Sequence, residues 1–319
     1  MPDPTAPSRA SLIAGVGKVS RAASSGTYVS QDESEFTIRL AEKLSGVRIG
    51  GQVIDQRWLE YVAQLTFNPD GRFTAPALLL FWNDFNNLLP GASIFGTTDV
   101  NTVVTGSDGD VHTIYASAVT GMPSIRLHPD RGAIGPCTIS GIVGSAKNFT
   151  SSSAFYERTS GGTYTDSTWV SSDVLRQQYS AAYGAVGGLA DFQMQDGWTI
   201  DFRLTVNPIV VQGVTRDMKF GGLEVMARGI PVGSTTAQIL TALKADAASA
   251  GSPGRSLFSA AQSLVITGAD GTAHVTIPKA TIYTGEFAFS GAKLRIGEVA
   301  FYACRNYSSG AQQALYTIA

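Results

Sequence analysis

Leu65-Thr66-Phe67-Asn68-Pro69 returns as Leu204-Thr205-Val206-Asn207-Pro208, identical at four of five positions and displaced by 204 − 65 = 139 residues. Similarity of a chain to itself constrains the fold more than any composition does, because each copy must bury its own apolar face in the same way. Gly91 through Thr98 matches Gly229 through Thr236 at 229 − 91 = 138. A third match sets Val103-Val104-Thr105-Gly106-Ser107-Asp108-Gly109-Asp110-Val111-His112 beside Val265-Ile266-Thr267-Gly268-Ala269-Asp270-Gly271-Thr272-Ala273-His274, displaced by 274 − 112 = 162. Three matches in one order read as a duplication. The step between the last two displacements reads as 162 − 138 = 24 extra residues in the second copy.

That extra segment has helical form. Thr235 or Thr236 can cap a helix whose Ile239, Leu240, Leu243 and Ala247 share a face, and Gly251-Ser252-Pro253-Gly254 ends it. In the first copy Thr74 and Pro76 open a helix with Leu78, Trp82, Phe85 and Leu89 on one stripe, ended by Pro90-Gly91. The expected organisation is an N-terminal arm and first strands over 1–46, a first β unit over 47–150 and a linker over 151–194. A second β unit follows over 195–319, with a helical insertion at 237–262. Ser8 to Gly26, small and weakly apolar, reads as an arm that orders on assembly.

Elsewhere the period is two. Phe67, Ile125, Leu127, Ile139, Val206, Val210, Val275, Ile277, Phe287, Phe289 and Val299 alternate with polar residues, the pattern of half-buried antiparallel strands. Asp108-Gly109 and Asp270-Gly271 lie between β-branched runs and supply the positive φ of a tight hairpin turn. The expected fold is mainly β: two tandem β-sandwich or barrel units, each with a flanking helix.

Charged residues are only 15% of the 319, against roughly 25% in a typical soluble domain. A surface so poor in charge points to one covered by neighbours, and open sheet edges favour pairing between copies. The net charge of -2 argues against tight binding to phosphate backbones, which takes clustered Lys and Arg. Cys137 and Cys304 are too few for a disulfide framework and form no CxxC pair, which fits a reducing, intracellular origin. The start of the sequence lacks the features of a signal peptide, and the longest apolar run, Ala75 to Trp82, falls far short of the ~20 residues a membrane helix takes.

Catalytic signals are sparse. Two of the three histidines, His112 and His274, follow the repeated hairpins, where a duplicated site or a packing role both fit. Gly15-Val16-Gly17-Lys18 lacks the first glycine and the hydroxyl of a phosphate loop, and Asp108 with Asp110 has no matching pair in the second copy, where Thr272 stands. Neither GxSxG nor HExxH occurs. The expectation is a non-enzymatic protein with no cofactor and no metal, its marked residues being the hairpin set Asp108, Gly109, His112, Asp270, Gly271 and His274.

Several segments together resemble the tail tube proteins of long-tailed bacteriophages. They are Gly15-Val16-Gly17-Lys18-Val19, the segment Glu33 to Gly46, the Asn-Pro strand ends, and Gly132 to Gly144 with Gly135-Pro136-Cys137-Thr138-Ile139-Ser140-Gly141. The resemblance implies a structural virion protein of the tail, assembled in the host cytoplasm, whose subunits form rings stacked into a tube. DNA passes through the lumen without specific binding, other tail proteins are partners, and no membrane is involved. A chain with two copies resembles the tubes in which three subunits make a pseudo-hexameric ring. The competing expectations are another virion component, of baseplate or head, and a carbohydrate-binding β-sandwich with exposed tryptophans such as Trp58, Trp82, Trp169 and Trp198.

Overall fold

The computed structural model describes residues 10–23, 26–29, 34–68, 85, 88–94, 100–143, 156–164, 173–184, 189–211, 214–232, 238–241, 262–284, 287–290, 293–304 and 315–318. The chain is mainly β. Its first strands are β1 (Ala10–Ala23), β2 (Gly26–Val29), β3 (Ser34–Ile49), β4 (Gln52–Asn68), β5 (Val100–Gly106) and β6 (Asp110–Gly121). Then come β7 (Ile125–Leu127), β8 (Ala133–Ile134), β9 (Cys137–Val143) and β10 (Tyr156–Ser160). The second half holds β11 (Tyr179–Tyr183), β12 (Leu189–Phe192), β13 (Trp198–Val211), β14 (Val214–Gly229) and β15 (Gln262–Gly268). It ends with β16 (Ala273–Thr284), β17 (Phe287–Ser290), β18 (Lys293–Ile296), β19 (Val299–Ala303) and β20 (Thr317–Ile318).

In the first sheet β6, β5, β1, β3, β4 and β9 follow one another, and β9 pairs back onto β6, so six antiparallel strands close a barrel. Closure removes the open edges that would otherwise template aggregation. The second sheet runs β11-β15-β16-β19-β14-β13, the same order with each strand replaced by its later counterpart. The registers repeat as well. Val19 opposes Val104 and Ala181 opposes Ile266; Leu65 opposes Ile139 and Ala227 opposes Phe301; Ile38 opposes Leu65 and Ile200 opposes Ala227. All of these pairs are related by one displacement, 266 − 104 = 162.

This corrects the sequence alignment. Leu65 lies on β4 but Leu204 on β13, which holds the place of β3, so the match at 139 joins non-equivalent strands of two similar hairpins. The 237–262 stretch is therefore no insertion. Between β4 and β5 lie 99 − 68 = 31 residues, and between β14 and β15 lie 261 − 229 = 32. Residues 238–241 form a helical turn and Phe85 is helical; the rest of both expected helices, including Leu78 and Trp82, lies outside the described residues apart from Leu88 and Leu89. The expected boundaries move too. The 46/47 division cuts β3, the arm from Ser8 contains barrel strand β1, and the 151–194 linker contains β10, β11 and β12.

Residue pattern explains the strand lengths. On β13 Trp198, Ile200 and Phe202 alternate inward, Leu204 and Val206 still pack in part against the core, and from Asn207 the β13–β14 hairpin is exposed. Phe36, Ile38 and Leu40 of β3 do the same before the β3–β4 hairpin runs out to Gly50 and Gly51, whose φ of +57° and +82° make the turn. Val210, expected to be half-buried, is 53% exposed for this reason.

The halves differ at one edge. In the first, Ile13, Ala14 and Gly15 of β1 pair with Ile38, Thr37 and Phe36 of β3. In the second, the equivalent edge at Trp198, Thr199 and Ile200 takes Leu127, Arg126 and Ile125 of β7, which comes from the first half with β8. A second clasp lies further along β14. Gly91 N donates to Phe220 O at 2.8 Å, Phe220 N donates to Ala92 O at 2.8 Å, and the Phe85 and Phe220 rings stack at 6.1 Å.

Candidate functional site

The repeated hairpins are built alike. Gly109 N donates to Gly106 O at 3.0 Å and Gly271 N to Gly268 O at 3.0 Å, with φ of +83° and +79° that only glycine adopts cheaply. Asp108 Oδ1 accepts from Asp110 N at 3.0 Å, and Asp270 Oδ1 from Thr272 N at 2.9 Å. Both aspartates thus close their own turns, the usual service of this residue at such a place. Neither belongs to a metal cluster: among the described residues no group of three or more His, Cys, Asp or Glu converges.

The histidines share burial but not partners. His112, 3% exposed, has Nδ1 2.7 Å from the Tyr156 hydroxyl and its ring stacked on Tyr156 at 6.1 Å. Burial lowers its pKa below the ordinary 6.5, with Asp110 opposing and Arg158 adding to the fall. Arg158 is ion-paired with Asp110 across the β10–β6 pairing. Burial also pushes Tyr156 up to about 12.

His274, 4% exposed, instead places Nε2 2.9 Å from Asp270 Oδ2 and meets the Tyr179 ring edge-on. Burial works against ionisation of Asp270, but hydrogen bonds from Thr272, His274 and Gln177 outweigh it and hold the carboxyl below its ordinary value. One histidine bonds a phenol through Nδ1 and the other a carboxylate through Nε2. A duplicated active site would repeat one constellation, and the six marked residues form two turns with two different histidine locks.

His128 follows β7 and begins the run His128-Pro129-Asp130. Its Nδ1 accepts from Asp130 N at 3.0 Å and Arg131 N at 3.1 Å, shaping the β7–β8 turn, and its own N donates to Leu175 O at 3.0 Å. Gly197 approaches so closely that a Cβ there would lie 2.2 Å from Leu127 O. The β7–β8 hairpin is therefore seated tightly, with Ile125 and Leu127 each 1% exposed.

Beside this seat the outer face of the second sheet holds a concavity of about 700 Å³. Arg228 spans it, reaching Asp201 at 2.5 Å and Glu298 at 2.7 Å, with Tyr283 and Tyr302 crossing at its rim. Sequence reasoning missed it because its residues come from β7's approach, β13, β14, β16 and β19, which only the pairing brings together. The expected sugar platform Trp198 is fully buried against Phe192 and Phe301. The side chains of Trp58, Trp82 and Trp169 lie outside the described residues.

Two further surfaces are apolar and exposed. Ile49, Val53 and Ile54 stand at the tip of the β3–β4 hairpin, and Ile209, Val210 and Val211 at that of β13–β14, all between 42% and 66% exposed. Apolar groups clustered at a protruding tip mark a contact surface more often than chance exposure does. Cys137 is buried, and desolvation pushes its thiol up to about 12, which removes it as a nucleophile at neutral pH. No helix among the described residues is long and apolar enough to cross a membrane.

Against known proteins, the chain matches no protein-family model and no curated protein sequence.

Proposed function

We propose that this chain is the self-assembling subunit of a phage-type tail tube, three chains forming a ring of six quasi-equivalent β units and rings stacking into a conduit for DNA. The observation that supports it most is the strand order and register written twice at 162 residues, each copy extending one long hairpin with an apolar tip. Two like units per chain suit a closed ring of few chains, and the tips suit contact with the next ring. A modest charge of -2 suits a lumen through which DNA slides without adhering. On this reading the chain is not an enzyme, and its partners are further copies and other tail proteins.

The test is electron microscopy of the purified chain over a range of concentrations. Hollow rings that stack end to end are expected. A second reading, a carbohydrate-binding module, is favoured by one observation: the concavity with two exposed tyrosines above Asp201, Arg228 and Glu298, groups able to grip sugar hydroxyls. A monomer at every concentration that binds glycans, and loses them on Tyr302→Ala, would establish that reading instead.

A further inference from the structure

We infer that the β17–β18 hairpin of one chain adds to the β3 edge of a second copy, replacing the first half of that copy's β1, so that chains join head to tail. The partner is named by the proposed assembly, on which this inference rests.

The precedent is inside the chain. The hairpin β7–β8 pairs Ile125 with Ile134 and Arg126 with Ala133. The hairpin β17–β18 pairs Phe287 with Ile296 and Ala288 with Arg295, the same contacts displaced by 287 − 125 = 162. The first hairpin sits on the β13 edge at Trp198, Thr199 and Ile200. Among the described residues the second hairpin has no third strand. Its sequence carries the same kind of residue at the seating positions, Phe287 and Phe289 for Ile125 and Leu127, and Ile296 for Ile134.

The receiving edge is equally definite. By the same displacement Trp198, Thr199 and Ile200 correspond to Phe36, Thr37 and Ile38 of β3, since 198 − 36 = 162. That edge carries Gly15, Ala14 and Ile13 of β1. In the second half the corresponding stretch is not a strand: residues 174–177 are bends, with Leu175 N donating to Asp173 Oδ1 at 2.9 Å and Arg176 paired to Asp173 at 2.6 Å. So where a hairpin is seated, the β1-like stretch has stepped aside, and its Leu175 carbonyl holds the hairpin through His128 N.

The first half of β1 is held mainly by backbone pairing, Ala10 to Gly17 against β3, with Ile13 packed in part against the core. Between residues 12 and 16 none is buried, and Leu12 is 70% exposed. From Gly17 onward the strand is fixed by pairing to β5 and by buried Val19 and Arg21. Exchange of 10–16 for β17 therefore gives up the β1–β3 pairing of the barrel and the partial packing of Ile13, and gains a pairing of the four-residue β17 across chains with the seating of its apolar residues. The expected register between chains is Phe287 to Ile38, Ala288 to Thr37 and Phe289 to Phe36. A donor edge on one face and an acceptor edge on another make a heterologous contact, which closes into a ring when its rotation allows.

The experiment uses the full chain with Cys304→Ser, carrying Thr37→Cys and Ala288→Cys, assembled and then oxidised. Non-reducing gels are expected to show chains linked in twos and threes, and far less linkage when Arg39→Cys replaces Thr37→Cys, two residues out of register. Hydrogen exchange on unmutated rings is expected to slow at 287–289 and to quicken at 10–16, each by more than about tenfold. Rings that form without the cross-link and keep 10–16 protected overturn this pairing while leaving the tube reading standing. A chain that never assembles overturns both.

Discussion

Gly109 and Gly271 hold positive φ in turns that are otherwise superimposable in hydrogen bonding, yet their surroundings differ. A Cβ on Gly109 would lie 3.3 Å from Gly162 O, whereas one on Gly271 meets nothing within 4 Å. Gly271→Ala should therefore cost about 1–2 kcal/mol from the left-handed backbone alone, and Gly109→Ala more, both measured by urea unfolding. His112 supplies a pH test. Its folded pKa lies below the ordinary 6.5, so below pH 6.5 the unfolded chain binds a proton that the folded chain refuses. Stability from this residue is full above that value and is lost as pH falls toward the folded pKa. His112→Gln should flatten the change in unfolding midpoint between pH 7 and pH 5 relative to the parent; an unchanged slope would contradict burial as the cause. The turns were readable in the sequence because Asp-Gly acts locally. The histidine partners were not: Tyr156 is 44 residues from His112 and reaches it only through the β10–β6 pairing.

At the scale of elements, the β7–β8 hairpin joins the halves, with Leu127 buried on the β13 edge. Leu127→Ala should cost about 2–5 kcal/mol, the range for a buried leucine, and should do so as one cooperative transition if both sheets unfold together. Splitting into two transitions would show the halves to be independent. The long hairpins make the opposite prediction. Ile49→Asp with Val211→Asp alters exposed tips, so the unfolding midpoint should hold within about 0.5 kcal/mol while stacking of rings is lost in light scattering. Strands such as β13 and β16 were legible from alternation. Their counterparts were misaligned, because β4 and β13 both carry a Leu-Thr-x-Asn run although β13 stands in the position of β3. Matching identities cannot separate two strands of similar hairpins, whereas backbone register can. The same error produced the supposed insertion, and the longer displacement, first visible in the His112 and His274 hairpins, relates the strands of both halves.

At the scale of the molecule, one chain is proposed to supply two quasi-equivalent units, three chains closing the ring. Strand pairing makes the two halves alike in order but not in edge: the first closes its barrel with β1, and the second takes a hairpin from the first. Such a chain has a direction, and directional contacts either close or run on as filaments. The mainly-β class was legible from glycine, low charge and the period of two; the asymmetry was not, since 173–178 and 11–16 differ in pairing for reasons set by Asp173 and by the seated hairpin. The most direct test is native mass spectrometry of the smallest assembled species. With a chain of 33.5 kDa, a closed ring of 3 × 33.5 = 100.5 kDa is expected, and a stable species of two, four or six chains with no trimer would rule the three-chain ring out.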